Sequence, residues 1–557
     1  MNKQLPKLKI IPLGGLEEVG RNMTIFECDR DIIIVDMGLQ FPEEDQPGID
    51  YIIPNISYLK GKENYIRGVI ITHGHYDHIG AIPHLMDQLG NPTIFTAPLS
   101  SAIIKKRQEE FKNKKKLNIY NVKFDDMLQL GTFKVEFFRV NHNIPDGFGV
   151  AIHSPAGLVI HTGDFKFDPS PIGDEPADIA KIARLGGQNV LALMSDSTGS
   201  EQEGRSISEK TIMDSLDSIF EKTSGRIIAA TFSSLLSRIQ QILILAEKHN
   251  RKLALDGYSM KTNVELAKKL GYLKMKKGTL ISIKEAKDLP DNKVIIACTG
   301  AQGEERAALV RMSNKEHRDI KIKKGDSIIF SSSVVPGNER TVQKLKDTLA
   351  RLGAIIYHYK MMDVHTGGHA LKEDLKLMIQ LTKPRYLIPI HGNHYMCSLH
   401  GKIAESIGMD KKNIFIADNG QIMEFTKDNG ALTKRKVPSD HVMIDGLGDN
   451  NISNIVIRDR RMLAEDGMFV IIATIDGKTG DLIGNPDLIS RGFIYMKESK
   501  KLVEQTRKKV KSILQNRDDR ASANFTYLKN KIRDDIGQFL FQKTERRPMI
   551  LPVIIQV

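Results

Sequence analysis

The feature that most constrains this chain is the hexapeptide His73-Gly74-His75-Tyr76-Asp77-His78, which follows the apolar run YIRGVIIT without a break. Four metal-ligand side chains stand within six positions, at the end of a segment whose residues predict a buried β-strand. In extended backbone alternate side chains share a face, so His73 and His75 can bind one ion. The turn that follows can aim Asp77 and His78 at a second. As structural residues each imidazole would need its own buried partners, whereas as N/O donors they suit Zn²⁺ or Mn²⁺. The cluster is read as a metal site at the carboxyl end of a strand, where α/β folds place their chemistry.

Three further strands end in donors. FKVEFFRVNH runs into His142, GLVIHTGD into Asp164 and PRYLIPIHG into His391. Taken singly, each is equally a loop or turn residue. Taken in order, they complete the roughly seven donors, one a bridging carboxylate, that a two-metal hydrolytic site needs.

Between these segments the pattern changes. From about Ser206, helix and strand alternate: Ile207 to Lys222, RIIAATF, Leu235 to His249, KLALDG, Thr262 to Gly271, KVIIACTG, Glu304 to Met312, SIIFSSS and Asn338 to Leu352. This predicts a parallel Rossmann-like sheet inserted into the first domain, whose chemistry resumes with AIIYHYKMMDVHTGGHA and PRYLIPIHG. The expected organisation is a first domain over 1–205 and 361–428, an insertion over 206–360, a polar linker over 429–447 and an α+β domain over 448–557. In the last, VIRD, MFVIIATI, RGFIYM and PVIIQV are expected to surround one basic helix.

Composition supports several domains. A length of 557 residues allows three or four at ~100–200 residues each. With 41% hydrophobic and 27% charged residues, neither a disulfide mini-protein nor a disordered chain fits. Three distant cysteines, Cys28, Cys298 and Cys397, match no disulfide framework or zinc ribbon and point to a reducing cytoplasm. The amino terminus lacks a signal-peptide core, and no run reaches the ~18 apolar residues of a membrane span. Lys and Arg total 81 against 68 Asp and Glu, a net +13 that suits nucleic acid, a membrane surface or simply a solvated exterior.

Several loops could hold phosphate. Ser331-Ser332-Ser333 with Gly337-Asn338, and Thr231-Phe232-Ser233-Ser234 with Arg238, join strands to helices, where free N–H groups and hydroxyls gather. Ordinary helix capping explains them equally well. CTGAQG lacks the three-glycine dinucleotide fingerprint, so no nucleotide cofactor is expected. Two basic runs are candidates for RNA phosphate: Lys105, Lys106, Arg107, Lys112, Lys114, Lys115 and Lys116, and Lys500, Lys501, Arg507, Lys508, Lys509 and Lys511. The second could instead border an oligomer interface.

These features together resemble the metallo-β-lactamase superfamily, its β-CASP nucleases and, within them, the bacterial ribonuclease J family. The resemblance spans nearly the whole chain, through GGLEEVGRNM, THGHYDHIGAIPHL, HTGDFKFD, MSDSTGS, CTGAQGE, FSSSVVPGNE, HTGGHA, PIHG, VIRDRRMLAEDG and RPMILPVI. Glu17, Tyr76 and Asn143 depart from the family's usual wording; none replaces a ligand.

The resemblance implies an αββα metallo-β-lactamase sandwich with an inserted β-CASP domain and a small C-terminal α+β domain. It implies that His73, His75 and His142 hold one divalent ion and that Asp77, His78 and His391 hold another, with Asp164 bridging. The ions would be Zn²⁺ or Mn²⁺, with Mg²⁺ a further candidate. Asp196, by itself a turn residue, becomes the orienting carboxylate of a general acid, His369, and His365 a phosphate contact. The implied activity is RNA hydrolysis by a metal-activated hydroxide, 5′→3′ from 5′-monophosphate ends together with endonuclease cleavage, in RNA maturation and decay. Assembly into dimers or tetramers, with a paralogous subunit in some cases, is implied as well. The alternatives are a small-molecule metallo-hydrolase of thioesterase or lactonase type, and a non-catalytic RNA-binding paralogue.

Overall fold

The computed structural model describes residues 6–43, 46–112, 114–335, 337–446, 454–477, 479, 481–515 and 525–557. The chain divides into two compact units, one of Met1–Gln40 with Ile53–His441 and one of Phe41–Ile52 with Val442–Val557.

The first unit is built on two sheets packed face to face. An eight-stranded sheet runs in the order Gly430–Lys436, Gln421–Phe425, Leu8–Gly14, Met23–Cys28, Asp31–Val35, Ile66–Ile70, Ile94–Thr96, Ile119–Asn121. A six-stranded sheet runs Tyr386–Ile390, Val190–Asp196, Gly157–His161, Phe148–Ser154, Phe133–Arg139, Met127–Leu130. Strand periodicity explains the layering. Val135 and Phe137 join Phe26, Ile33 and Ile70 between the sheets, while Phe138 points to the other face and packs with helical residues Leu185, Leu375 and Met378.

Two strand pairings place the site. Val190–Asp196 lies parallel to both Gly157–His161 and Tyr386–Ile390, with Asp196 opposite Ile390, so the loops carrying Asp164, Asp196 and His391 leave the sheet side by side. In the other sheet Val35 pairs with Ile70, bringing Asp36 beside Thr72 and the histidine hexapeptide. The 36–39 loop then supports the hexapeptide: Met37 and Leu39 N–H donate to the carbonyls of His78 and Tyr76. Gly38 must be glycine here, since a Cβ would fall 1.5 Å from the Asp77 carbonyl oxygen.

The inserted segment forms a wholly parallel sheet in the order Leu280–Ile281, Lys252–Asp256, Val294–Cys298, Ile227–Ala230, Ser327–Phe330, Ile355–His358. Every expected helix is present, with shifted ends: Tyr258–Lys269 starts earlier than the periodicity predicts, and Ala308–Ser313 is shorter. The edge strand Leu280–Ile281 and the helix Ile283–Asp288, closed by a Ser282/Glu285 capping box, escape the hydrophobic pattern because they are short.

Two expectations about this unit are corrected. The AIIYHYK strand belongs to the inserted sheet, so His365 and His369 stand on the loop that leads back rather than on a strand of the first domain. The span read as a linker, 429–447, contains Gly430–Lys436, an edge strand paired with Gln421–Phe425; alternating polar side chains suit an exposed edge and mask its strand character. Part of that span, and the start of the last domain at 448, lie outside the described residues.

In the second unit Asp50 N–H donates to Ile444 O. Its main sheet centres on Met468–Ile475, antiparallel to Leu482–Arg491 and parallel to Met549–Gln556. Phe469, Ile471 and Ala473 pack with Val510, Leu514, Ile532 and Leu540 of two helices, Lys500–Gln515 and Phe525–Thr544, where one was expected. VIRD lies inside the helix Asn454–Asp466, and RGFIYM follows a strand rather than forming one. Short β-branched runs do not distinguish helix from strand, and packing decided both.

Candidate metal centre

Side chains separated by up to several hundred residues converge beneath the ends of the two facing sheets. His73, His78, His142, Asp164 and His391 are buried; His75 and Asp77 are half-buried. Two donor groups result, His73/His75/His142 and Asp77/His78/Asp164/His391, each with one ligand atom per residue within 4.8 Å of all the others.

The ring orientations follow from what holds each imidazole. His142 Nδ1 is 2.7 Å from Gly368 O, His78 Nδ1 is 2.8 Å from Asp36 Oδ2, and His391 Nδ1 is 2.7 Å from Thr198 Oγ1. His73 Nδ1 lies 3.2 Å from Thr72 Oγ1. In each the outer nitrogen is occupied and Nε2 faces inward, the arrangement that outer partners impose on metal-binding histidines. His75 is reversed: its Nδ1 faces His73 Nε2 at 3.0 Å and His142 Nε2 at 3.1 Å, and its Nε2 is buried without a hydrogen-bond partner. Asp164 faces both groups. Its Oδ2 is 3.8 Å from His73, 3.7 Å from His142 and 3.3 Å from His78, and its Oδ1 is 3.6 Å from His391.

The electrostatics differ between the groups. Burial, joined by the neighbouring imidazoles, holds His73 and His142 well below the ordinary histidine value, and burial takes His75 down to about 4. Three neutral imidazoles are ready ligands. In the second group burial opposes charge, yet Asp164 and Asp77 lift His78 well above its usual value, and Asp164 with Asp196 and Asp77 does the same for His391. Both carboxyls are held low in return, against the effect of burial, Asp164 mainly by His391 and His78 and Asp77 mainly by His78. Paired carboxylates that draw positive charge, inward-facing nitrogens and the unpartnered His75 Nε2 fit divalent cations in both groups.

Beside this centre stands His369, whose Nδ1 is 2.8 Å from Asp196 Oδ2. Burial would lower its pKa, but the charge and hydrogen bond of Asp196 and the charge of Asp164 raise it above the ordinary histidine value. The Asp196 carboxyl is correspondingly held far below the carboxylate range despite its burial.

The phosphate loops divide. Arg238 is fully buried; its guanidinium pairs with Glu209 at 2.9 Å and donates to Ser331 Oγ and Val364 O, so the expected contact with RNA is not available to it. Ser331 is likewise buried and donates to Val364 O at 2.7 Å. The physical reason is shared: the helix Leu236–Lys248 packs on the sheet with Arg238 on its inner face, where its charge must be paired. Ser332 is buried and accepts from Gln302, whereas Ser333 is exposed and Ser233 and Ser234 are half-buried. His365 is buried beside Arg238, and burial takes it down to about 3. In the first basic run Lys106 pairs with Glu109 and Arg107 with Glu110 along one helix, and in the second Arg507 pairs with Glu504.

Sequence reasoning missed Asp36, Thr198 and Gly368, which orient the ligands. Asp36 closes DIIIVDMG and carries the same mark as the ligands, a donor just past a buried strand.

The comparisons agree with this architecture. Family models match residues 16–207 (Metallo-beta-lactamase superfamily), 224–349 (Ribonuclease J, beta-CASP domain), 358–417 (Zn-dependent metallo-hydrolase RNA specificity domain) and 455–557 (Ribonuclease J C-terminal domain). Ribonuclease J2 of Bacillus subtilis (strain 168) is 38% identical over 556 residues, covering 100% of both chains. Ribonuclease J 1 of Streptococcus pyogenes serotype M3 is 40% identical over 550 residues, covering 98% of this chain and 97% of its own. A solved structure described as a protein of unknown function from Enterococcus faecalis V583 superposes with a TM-score of 0.55 at 14% identity, covering 75% of this chain and 100% of that one, and shares the fold. With full-length relatives at this level of identity and four family models along its length, the chain belongs to the ribonuclease J family.

Proposed function

We propose that this protein hydrolyses RNA phosphodiester bonds, as a 5′→3′ exonuclease favouring 5′-monophosphate ends and as an endonuclease, with two divalent ions in the centre described above. The observation that carries the reading is the pairing of Asp196 with His369 at the rim of two complete donor groups that share Asp164. His73, His75 and His142 would hold one ion, and Asp77, His78 and His391 the other, with Asp164 between them; Zn²⁺ and Mn²⁺ suit these donors, and Mg²⁺ the oxygens. Such ions, when bound, supply Lewis-acid stabilisation of phosphoryl charge and acidify water.

The chain's own residues supply the rest. Asp196 occupies His369 Nδ1, which leaves Nε2 to give its proton to the departing 3′ oxygen. Asp196 also raises the pKa of that imidazole against the effect of burial, which favours its protonated form. Gly368, next to the acid, holds His142 through its carbonyl, so the loop that carries the general acid also orients one donor histidine. Exposed Ser333 and half-buried Ser233 and Ser234 remain the candidates for a 5′-phosphate contact.

A small-molecule hydrolase would have no use for the inserted parallel sheet, and a non-catalytic paralogue none for a complete donor set. We place the protein in the cytoplasm; no helix among the described residues is long and apolar enough to cross a membrane. Self-association as a dimer or tetramer, or with a paralogous subunit, is supported by the outer face of the C-terminal sheet, where Leu551, Val553 and Ile555 are about 40% exposed. The deciding assay uses RNA labelled at either end, carrying a 5′-monophosphate or 5′-triphosphate, with Mn²⁺ or Zn²⁺. Mononucleotides released from the monophosphorylated 5′ end are expected; cleavage indifferent to the 5′ group would overturn the exonuclease reading.

A further inference from the structure

The inserted parallel sheet carries a partly open space that shares no residue with the metal centre. It is a cavity of about 300 Å³ beside the carboxyl ends of Ser327–Phe330 and Ile355–His358, covered by the helix Glu339–Arg351. Ligands of open α/β sheets bind at such strand ends, and the volume lies at the lower end of small-molecule sites.

Two kinds of wall meet there. One is polar and carries two ammonium groups: Lys346 comes from the helix, and Lys360 with the His358 imidazole from the end of the edge strand. None of these three side chains takes part in an ion pair or side-chain hydrogen bond among the described residues. The acid at the rim, Glu339, is already engaged by the Gly337 N–H at 2.9 Å. Lys346, Lys360 and His358 line the same cavity, and burial with the two ammonium charges pushes the His358 imidazole below its ordinary value. Two ammonium groups without an ion-pair partner at one cavity favour an anion there. The other wall is apolar and aromatic, made of Phe330, Val342 and Tyr359. It offers a planar ring a surface to stack on.

We infer that this cavity binds a nucleoside 5′-monophosphate, its phosphate between Lys346, His358 and Lys360 and its base against Tyr359 and Phe330. A volume of about 300 Å³ has room for a single nucleotide, unlike an extended track for RNA backbone. Such a molecule is what the proposed exonuclease releases; that link rests on the proposed function, whereas the site itself does not.

Equilibrium dialysis of the full chain against 5′-UMP, 5′-AMP, uridine and inorganic phosphate tests the site, with Lys346→Ala/Lys360→Ala and His358→Gln as variants. Both monophosphates are expected to bind the wild type at least about tenfold more tightly than phosphate or uridine alone. Each lost charge-assisted contact should weaken them about tenfold, while circular dichroism melting stays unchanged. Monophosphate binding that is unaltered in the double variant overturns the site, and phosphate binding as tight as that of UMP overturns the nucleotide assignment. Binding that survives in a chain unable to cleave RNA supports the site while overturning the proposed function, so the two readings fail separately.

Discussion

His369 Nδ1 and Asp196 Oδ2 are 2.8 Å apart although 173 residues separate them in the chain. One group stands on the loop returning from the inserted sheet and the other ends the strand Val190–Asp196 of the first domain. Their meeting links the inserted domain's return to the metal centre.

Loss of this pair should separate protonation from metal binding. His369→Ala is expected to lower kcat by about 10²–10⁴ with metal content unchanged. Asp196→Asn removes the carboxylate that raises the His369 pKa. A general acid is active when protonated, so rate falls as pH rises through its pKa; the variant's alkaline limb should move to lower pH. A pH–rate profile with the same limb in both proteins would exclude His369 as the acid.

The donor groups predict stoichiometry. His142→Ala should lose one metal equivalent and His391→Ala the other, whereas Asp164→Ala, removing the carboxylate that faces both groups, should lower both. Elemental analysis of the folded variants decides this. Chelation of the wild type should lower Tm, since ions that bind only the folded state stabilise it.

Gly368→Ala is expected to behave like a ligand mutation. An added Cβ would lie 2.5 Å from His142 Cε1 and 2.6 Å from its Nδ1, forcing the ring out of line. Reduced metal affinity by about 10–100-fold, typical for a lost orienting contact, should appear in a metal titration.

Arg238 gives a contrast between stability and binding. Removing a fully buried guanidinium leaves Glu209 charged beside Lys166 alone, so Arg238→Ala should cost about 3–5 kcal/mol of stability. Denaturant unfolding measures that loss. The salt dependence of RNA binding should not change, since the residue reaches no phosphate.

Asp146 should make stability pH-dependent. Its carboxylate accepts from Leu99 N–H at 2.7 Å and from Tyr272 OH at 2.8 Å beside a cavity of about 890 Å³, yet burial pushes the carboxyl up to about 7. The folded state therefore retains a proton that the unfolded chain has released above 3.8. This stabilisation is complete below 3.8 and is lost as pH rises toward about 7, at up to about 1.4 kcal/mol per pH unit. Asp146→Asn removes the slope, so its Tm advantage over wild type should grow from pH 5 to pH 8 by a few degrees.

Much of the candidate site was legible because its donors follow a local rule: each donor comes just after an apolar strand, and HGHYDH places four of them within six positions. The supporting contacts were less so. Asp36 looks like any strand-end aspartate until the parallel pairing of Val35 with Ile70 brings it to His78. Arg238 showed the opposite failure. A cation in the first turn of a helix that follows a strand reads as a phosphate ligand, and only helix packing shows that its charge is already spent on Glu209.

By itself the sequence determined the ligand types, their order and the α/β alternation, since strand and helix periods are local properties of side-chain direction and burial. Tertiary structure decided which nitrogen of each histidine faces inward, that Asp164 serves both donor groups and that Asp196 reaches His369. Those facts depend on parallel strands registered side by side across hundreds of residues, and on the burial that shifts each group's charge.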